Sequence, residues 1–226
     1  MIEFRQENRG NLKIWKQPER DKKYIIPADV AEGLEGGNFS AAHVIDLSNL
    51  EQVSVWHGLE EPYQFGRILF NLGEFYNSAL LIPERNNNGI STIDYLRANN
   101  YPNIFQMMKL EGYDRDDTER LGWVTNLSTR PLIIDALKEA VRSNSLILHD
   151  PETLAEMRTF IRNPKNGKIE AAAGSMDDLV ISLAIGCYVY STLPRESQYV
   201  FTEGSYLDRM KERWGEPVVK IGRSGY

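Results

Sequence analysis

The stretch YIIPADVAEG, residues 24–33, decides the fold. Tyr24, Ile25 and Ile26 are residue types that favour strands. After Pro27 and Ala28 the run stops on a carboxylate, Asp29, and small residues and Gly33 follow. A strand that ends on an acid beside a loop places that acid where ligands gather in α/β sheets, beyond the strand ends and near helix starts.

Working outward, SAAHVIDL (residues 40–47) and EQVSVWHGL (51–59) read as two further strands after KYIIPADV (23–30). The spacers AEGLEGGNF and SNL carry the Gly, Asn and Ser of hairpin turns, so the domain opens as an antiparallel meander. Then the period changes. Phe65, Ile68, Leu69, Leu72 and Phe75 recur at helical spacing over residues 62–77, with Pro62 suited to a first turn. A short buried strand is expected at 79–85, a helix at 89–100, another strand at 103–110, and helices at 130–144 and 150–161 with Thr129 and Asp150 as caps. Residues 167–174 can pair back on 158–163 through the turn NPKNG, and MDDLVISLAIGCYVYST (176–192) is the last strong helix. The order predicts an α/β domain over residues 23–194, with a mixed sheet flanked by helices. Residues 1–22 are expected to be a polar, poorly packed lead-in, and 195–226 a C-terminal extension.

Composition narrows the functional classes. With 42% apolar and 26% charged residues, the 226-residue chain is an ordinary globular one. A net charge of -6 argues against nonspecific nucleic-acid binding by bulk charge but leaves room for a local basic patch. Cys187 is the only cysteine, which excludes an intrachain disulfide and a cysteine-based zinc site and fits a reducing compartment. MIEFRQENRG is too polar for a signal peptide. The apolar run at 179–193 is shorter than the ~20 residues of a membrane span and is expected to be a buried helix, with no membrane partner. His43, His57 and His149 show no metal-ligand spacing and read as structural; Ser175 reads as a helix cap, and no phosphate-cradling Gly-rich loop is present.

The acids at element ends carry the chemistry. Asp29 and Glu84 each close a strand, and Asp177 and Asp178 open the last helix. Singly, each has an ordinary explanation: a turn carboxylate, a partner for Arg85, or first-turn residues that suit the helix dipole. Together, beside apolar segments where an isolated charge is costly, they fit a pocket for hard cations. Mg²⁺ or Mn²⁺ takes oxygen ligands and leaves room for phosphate oxygens. A pair of such ions ~3.5–4 Å apart suits phosphodiester cleavage. Arg85, Arg130, Arg162, Lys165 and Lys168 are the basic residues placed to touch DNA phosphates, although most surface cations are simply solvated. Asn86, Asn87 and Asn88 can orient Glu84 or cap the next helix.

The ordered set YIIPADVAEGLEGGNFSAAHVID, VSVWHG, NSALLIPERNNNG and GSMDDLVISLAIG resembles the nuclease domain of the large terminase subunit of tailed bacteriophages, over residues 14–192. The resemblance implies a ribonuclease H-like fold and cutting of concatemeric viral double-stranded DNA with divalent metal and low sequence specificity. It makes Asp29, Glu84 and Asp177 metal ligands and Asp178 a fourth acid, ligand or supporting. It implies as partners a packaging ATPase domain, a portal and a small terminase subunit, in the cytoplasm of an infected bacterial host. Large terminases also carry an N-terminal ATPase with Walker motifs, which this sequence lacks, so the chain is expected to be either the nuclease part of a longer protein or a related stand-alone nuclease. Two other readings remain at this level: a different ribonuclease H-like enzyme, of junction-resolvase or strand-transfer type, and a non-catalytic docking module.

Overall fold

In the sheet, alternation along the strands decides which face each side chain joins. The computed structural model of the chain describes residues 10–107, 121–162, 169–172 and 174–193. Its main sheet has five strands: β1 (Leu12–Ile14), β2 (Tyr24–Asp29), β3 (Ser40–Asp46), β4 (Glu51–Gly58) and β5 (Leu80–Pro83), in the order β1-β4-β3-β2-β5. The first four pair antiparallel, and β5 runs parallel to β2. This is the mixed sheet expected from the sequence.

Tyr24, Ile26 and Ala28 point to one face, where they meet Phe65, Leu69 and Leu72 of α1 (Pro62–Phe75) and Ile93 and Leu96 of α2 (Gly89–Ala98) in one buried cluster. Ile25 and Pro27 point to the other face, covered by α5 (Asp178–Thr192). There Ser182 Oγ donates to the Pro27 carbonyl at 2.9 Å. Gly186 lets α5 lie close: a Cβ at that position would come within 2.7 Å of Ile45 and 2.8 Å of Pro27. Proline in a central strand removes a ladder donor, and the β2–β3 ladder indeed has no paired positions between Ile25↔Ile45 and Ala28↔Ala42. Burial of α5 runs nearly all round, from Asp178 through Cys187. Among the described residues no helix is long and apolar enough to cross a membrane.

Two expectations need correction. The lead-in over residues 1–22 contains β1, which pairs with β4 through Leu12↔Trp56 and Ile14↔Ser54. Three residues carry too little periodicity to announce a strand; Leu12 packs on the core, while Lys13 reaches Asp150 at 2.9 Å. The strand expected at 103–110 is reduced, among the described residues, to isolated bridges: Ile104 against Leu81 and Gln106 against Leu121. The outer edge of the four-residue β5 is shared between Ile104 and Trp123, which bridges Glu84; residues 108–120 lie outside the description.

The remaining elements are α3 (Thr129–Arg142), α4 (Pro151–Thr159) and a hairpin of β6 (Phe160–Arg162) with β7 (Ile169–Ala171). The hairpin has the pairing read from the sequence, with Ile161 opposite Glu170. Asp150 caps α4, accepting from the Thr153 amide at 2.8 Å. Thr129 lies inside the first turn of α3, where its hydroxyl accepts from the Asn126 amide and donates to the Val124 carbonyl. The compact unit ends at Ser191; of the unit beginning at Thr192, only Thr192 and Leu193 are described.

A buried polar relay ties these layers together. His43 Nε2 donates to the Leu179 carbonyl at 3.0 Å, so its Nδ1 accepts from Gln52 Nε2 at 2.8 Å. Gln52 Oε1 in turn accepts the amides of His149 and Asp150, both at 2.9 Å. Burial pushes His43 down to about 4, which keeps it neutral. His43 therefore has the structural role expected of it and anchors the start of α5 to β3. Nearby, burial pushes the Glu51 carboxyl up, but hydrogen bonds from Lys16, His149 and Asn49 outweigh it and hold the group at about 2.

A folded-state value below the ordinary one of 4.5 makes Glu51 stabilising above about pH 5, with the contribution lost as pH falls toward 2. Because Lys16 is 46% exposed, screening reduces the contribution to about 1–2 kcal/mol. Glu51→Gln is expected to lower the melting temperature at pH 7 by about 2–8 °C, by clearly less at pH 3, and not at all once the pH is below 2. Equal losses at both pH values in thermal melts would show that the charge is not responsible.

Candidate active site

Strand order brings the first two acids together. Ala28 of β2 is level with Pro83 of β5, so Asp29 and Glu84 are the next residues along two neighbouring parallel strands. The Glu84 amide donates to the Ala28 carbonyl at 2.7 Å. By alternation Asp29 follows Ile25 and Pro27, and Glu84 follows Ile82, so both acids fall on the face covered by α5. Asn86 joins the two strand ends: its Nδ2 donates to the Val30 carbonyl at 2.8 Å, and its Oδ1 accepts the Gly89 amide at 2.7 Å. Asn88 precedes α2 without a side-chain capping bond.

The start of α5 completes the set. Asp29, Glu84, Asp177 and Asp178 all line one cleft of about 430 Å³, together with Glu32, Asn38, Asn86, Asn88 and Arg130. The adjacent aspartates part company there: Asp177 precedes α5, and Asp178 is its first residue. Asp178 is 4% exposed and accepts from the Phe39 amide at 3.2 Å. Asp177 is 31% exposed at its side chain, and Arg130 Nη2 donates to its Oδ2 at 3.1 Å.

The electrostatics are those of crowded carboxylates. Burial, the charge of Glu84 and a side-chain hydrogen bond to it, and the charges of Asp178 and Asp177 hold the Asp29 carboxyl well above its ordinary range. Burial and Asp177 push Asp178 up to about 6, against the pull of the Phe39 amide. Among the described residues no group of three or more His, Cys, Asp or Glu side chains is assembled to hold a metal ion as it stands. Asp178 is instead engaged by a backbone amide and Asp177 by a guanidinium. The four acids nevertheless offer carboxylate oxygens, and among the described residues no sulfur or imidazole lines the cleft, which suits a hard divalent cation.

One acid was not legible in the sequence. Glu156 of α4 accepts the amides of Leu179 and Val180 at 2.9 and 3.3 Å, and so caps α5 from another helix, where Ser175 was expected to cap. Burial, with the charges of Asp178 and Asp177, pushes Glu156 up to about 7 despite those amides. In LAEMRTF it is one polar residue on a helix, and nothing local marks it as a cap for residues over twenty positions away. Glu156→Ala is expected to cost about 1 kcal/mol, read as a fall of about 2–4 °C in melting temperature. Glu156→Gln keeps the acceptor oxygen and is expected to stay at or above the parent. An Ala variant that melts like the parent would remove the capping role.

The basic residues divide. Arg130 lines the cleft, whereas Arg85 is not among its lining residues and has its amide bonded to the Trp123 carbonyl. Lys165 and Lys168, and the side chain of Arg162, lie outside the described residues.

The mixed sheet with helices on both faces is the ribonuclease H-like arrangement expected from the sequence. Solved structures carry the likeness further. The large terminase nuclease from thermophilic phage G20c is 20% identical, with 83% of this chain and 91% of that chain covered at a TM-score of 0.60. The same nuclease with bound magnesium gives 22% identity, 82% and 89% coverage and a TM-score of 0.61. The Thermus phage P74-26 large terminase nuclease domain gives 21%, 86% and 92%, and 0.60. No family model matches the chain. The chain thus has the fold of large terminase nuclease domains over most of its length.

Proposed function

We propose that this chain is a metal-dependent endonuclease domain of the large-terminase type, which cuts concatemeric double-stranded viral DNA during genome packaging. The observation that carries the reading is the convergence of Asp29, Glu84, Asp177 and Asp178 on one cleft at the ends of parallel strands. That cleft sits on a fold shared with terminase nucleases, one of which is described with bound magnesium, cobalt or zinc. Asp29, Glu84, Asp177 and Asp178 would hold Mg²⁺ or Mn²⁺, as two ions. Such ions, when bound, supply charge neutralisation, an activated water and stabilisation of the leaving oxygen.

The chain's own residues do the positioning. Asn86 fixes the turn that follows Glu84 to the end of β2. The Phe39 amide orients Asp178, and Glu156 and His43 hold the start of α5 from two sides. Arg130 and Arg85, with Arg162, Lys165 and Lys168, would contact DNA phosphates. Backbone contacts of this kind fix a duplex in place without reading its sequence, which fits low specificity and predicts cleavage that weakens sharply with salt. The expected partners are duplex DNA, a packaging ATPase domain, a portal and a small terminase subunit, in the cytoplasm of an infected bacterial host.

The test is incubation of plasmid DNA with the protein and Mg²⁺ or Mn²⁺. Linear and shorter products, abolished by chelation, are expected. No product with either ion at any protein concentration would overturn the reading. Faster cutting of branched DNA or RNA–DNA hybrids than of duplex would move it to another ribonuclease H-like class.

A further inference from the structure

Arg130 occupies an unusual place for a residue that only contacts DNA. Among the described residues lining the cleft it is the one Lys or Arg, facing Asp29, Glu32, Glu84, Asp177 and Asp178. Its Nη2 is 3.1 Å from Asp177 Oδ2, on the very carboxylate that a cation would need. The pair is neither sealed in nor fully solvated, with side chains 35% and 31% exposed, so it can open without a large burial penalty. Its guanidinium carbon lies 6.0 Å from the ring centre of Phe160, and that flat face supports the group without fixing it to one acceptor. Arg130 also sits in the first turn of the 14-residue α3, where the helix end favours anions.

From this geometry, and resting on the nuclease reading above, we propose that Arg130 is an exchange residue: it neutralises Asp177 while the cleft holds no ions, and passes to a phosphate oxygen of the DNA when divalent cations take Asp177. A guanidinium suits both positions, because carboxylate and phosphate offer its fork the same spacing of oxygens. In the first position Arg130 competes with metal for Asp177. In the second it binds substrate. Opposite effects of one substitution on the two ligands are therefore expected, which a static ion pair would not give.

The experiment measures Mn²⁺ binding by calorimetry without DNA, and duplex binding by fluorescence anisotropy with Ca²⁺ in place of Mn²⁺. Arg130→Gln is expected to tighten Mn²⁺ about tenfold, the equivalent of about 1.4 kcal/mol. It should also weaken duplex binding and reduce the slope of log affinity against log salt by about 1. Arg130→Lys, which keeps the charge but loses the fork, should fall between. In an Asp177→Asn background, Arg130→Gln should no longer change Mn²⁺ affinity, because the contact that couples them is gone. Lys138→Gln removes a cation from the exposed Lys138–Asp135 pair on the same helix and should leave both affinities at parental values. Parental Mn²⁺ affinity in Arg130→Gln, or equal tightening by Lys138→Gln, overturns the exchange while the nuclease reading stands on its own cleavage test. A parent that binds no Mn²⁺ and cuts no DNA removes both.

Discussion

Asp29→Asn is expected to abolish Mn²⁺-dependent plasmid cleavage, by about a thousandfold or more, and at the same time to raise the melting temperature of the metal-free protein. The two effects share one cause. Asp29 stands where burial and three neighbouring acids oppose its charge, so the site is costly without a cation and useful with one. An amide keeps the shape and removes the charge. On the proposed function, Asp29→Asn would remove a ligand from a metal that contributes several kcal/mol to the transition state, and a thousandfold loss corresponds to about 4 kcal/mol. Relief of the repulsion is worth about 1 kcal/mol, as is common when a functional group is replaced for stability, and this moves the melting point of a chain this size up by about 2–4 °C. Added Mn²⁺ should stabilise the parent and not the variant. A variant that melts below the parent and cuts at the parental rate would make Asp29 a structural turn carboxylate.

Gly89→Ala is expected to damage both stability and cleavage, although Gly89 carries no chemistry. It begins α2 directly after ERNNN, and a Cβ there would overlap the Glu84 carbonyl oxygen and crowd Asn86 Oδ1 at 3.3 Å. The obstacle is backbone, so the turn itself must open. That breaks the Gly89 amide bond to Asn86 and draws Glu84 away from Asp29. Overpacking of this kind costs about 2–3 kcal/mol, a fall of about 4–12 °C. Displacement of a reacting group by about 1 Å costs about a hundredfold in rate. Single-turnover cleavage and thermal melts check both; parental values in either would mean the turn yields without moving Glu84.

That glycine shows how far the residues alone reach. The spacing E-R-N-x-x-G marks a turn, but not that the glycine is demanded by a carbonyl lying against it. Strands β2, β3 and β4 were readable because strand-favouring residue types and turn residues are local properties. β1 was not, since three residues carry no period, and of the strand expected at 103–110 the described residues show single bridges at Ile104 and Gln106. Asp177 and Asp178 were legible as a pair; their division of labour was not, because it depends on Phe39 meeting the first residue of α5 and Arg130 the residue before it.

The sequence by itself determined the alternation of strands and helices, the acid at each critical end, and the apolar helix that had to be buried. These follow from backbone preference and from the cost of leaving apolar surface in water. Only the tertiary structure decided that β5 lies beside β2, so that Asp29 and Glu84 become neighbours, and that Glu156, His43 and Arg130 attend the start of α5. Contacts between residues far apart in the chain depend on strand order and helix phase together, and no short stretch contains either.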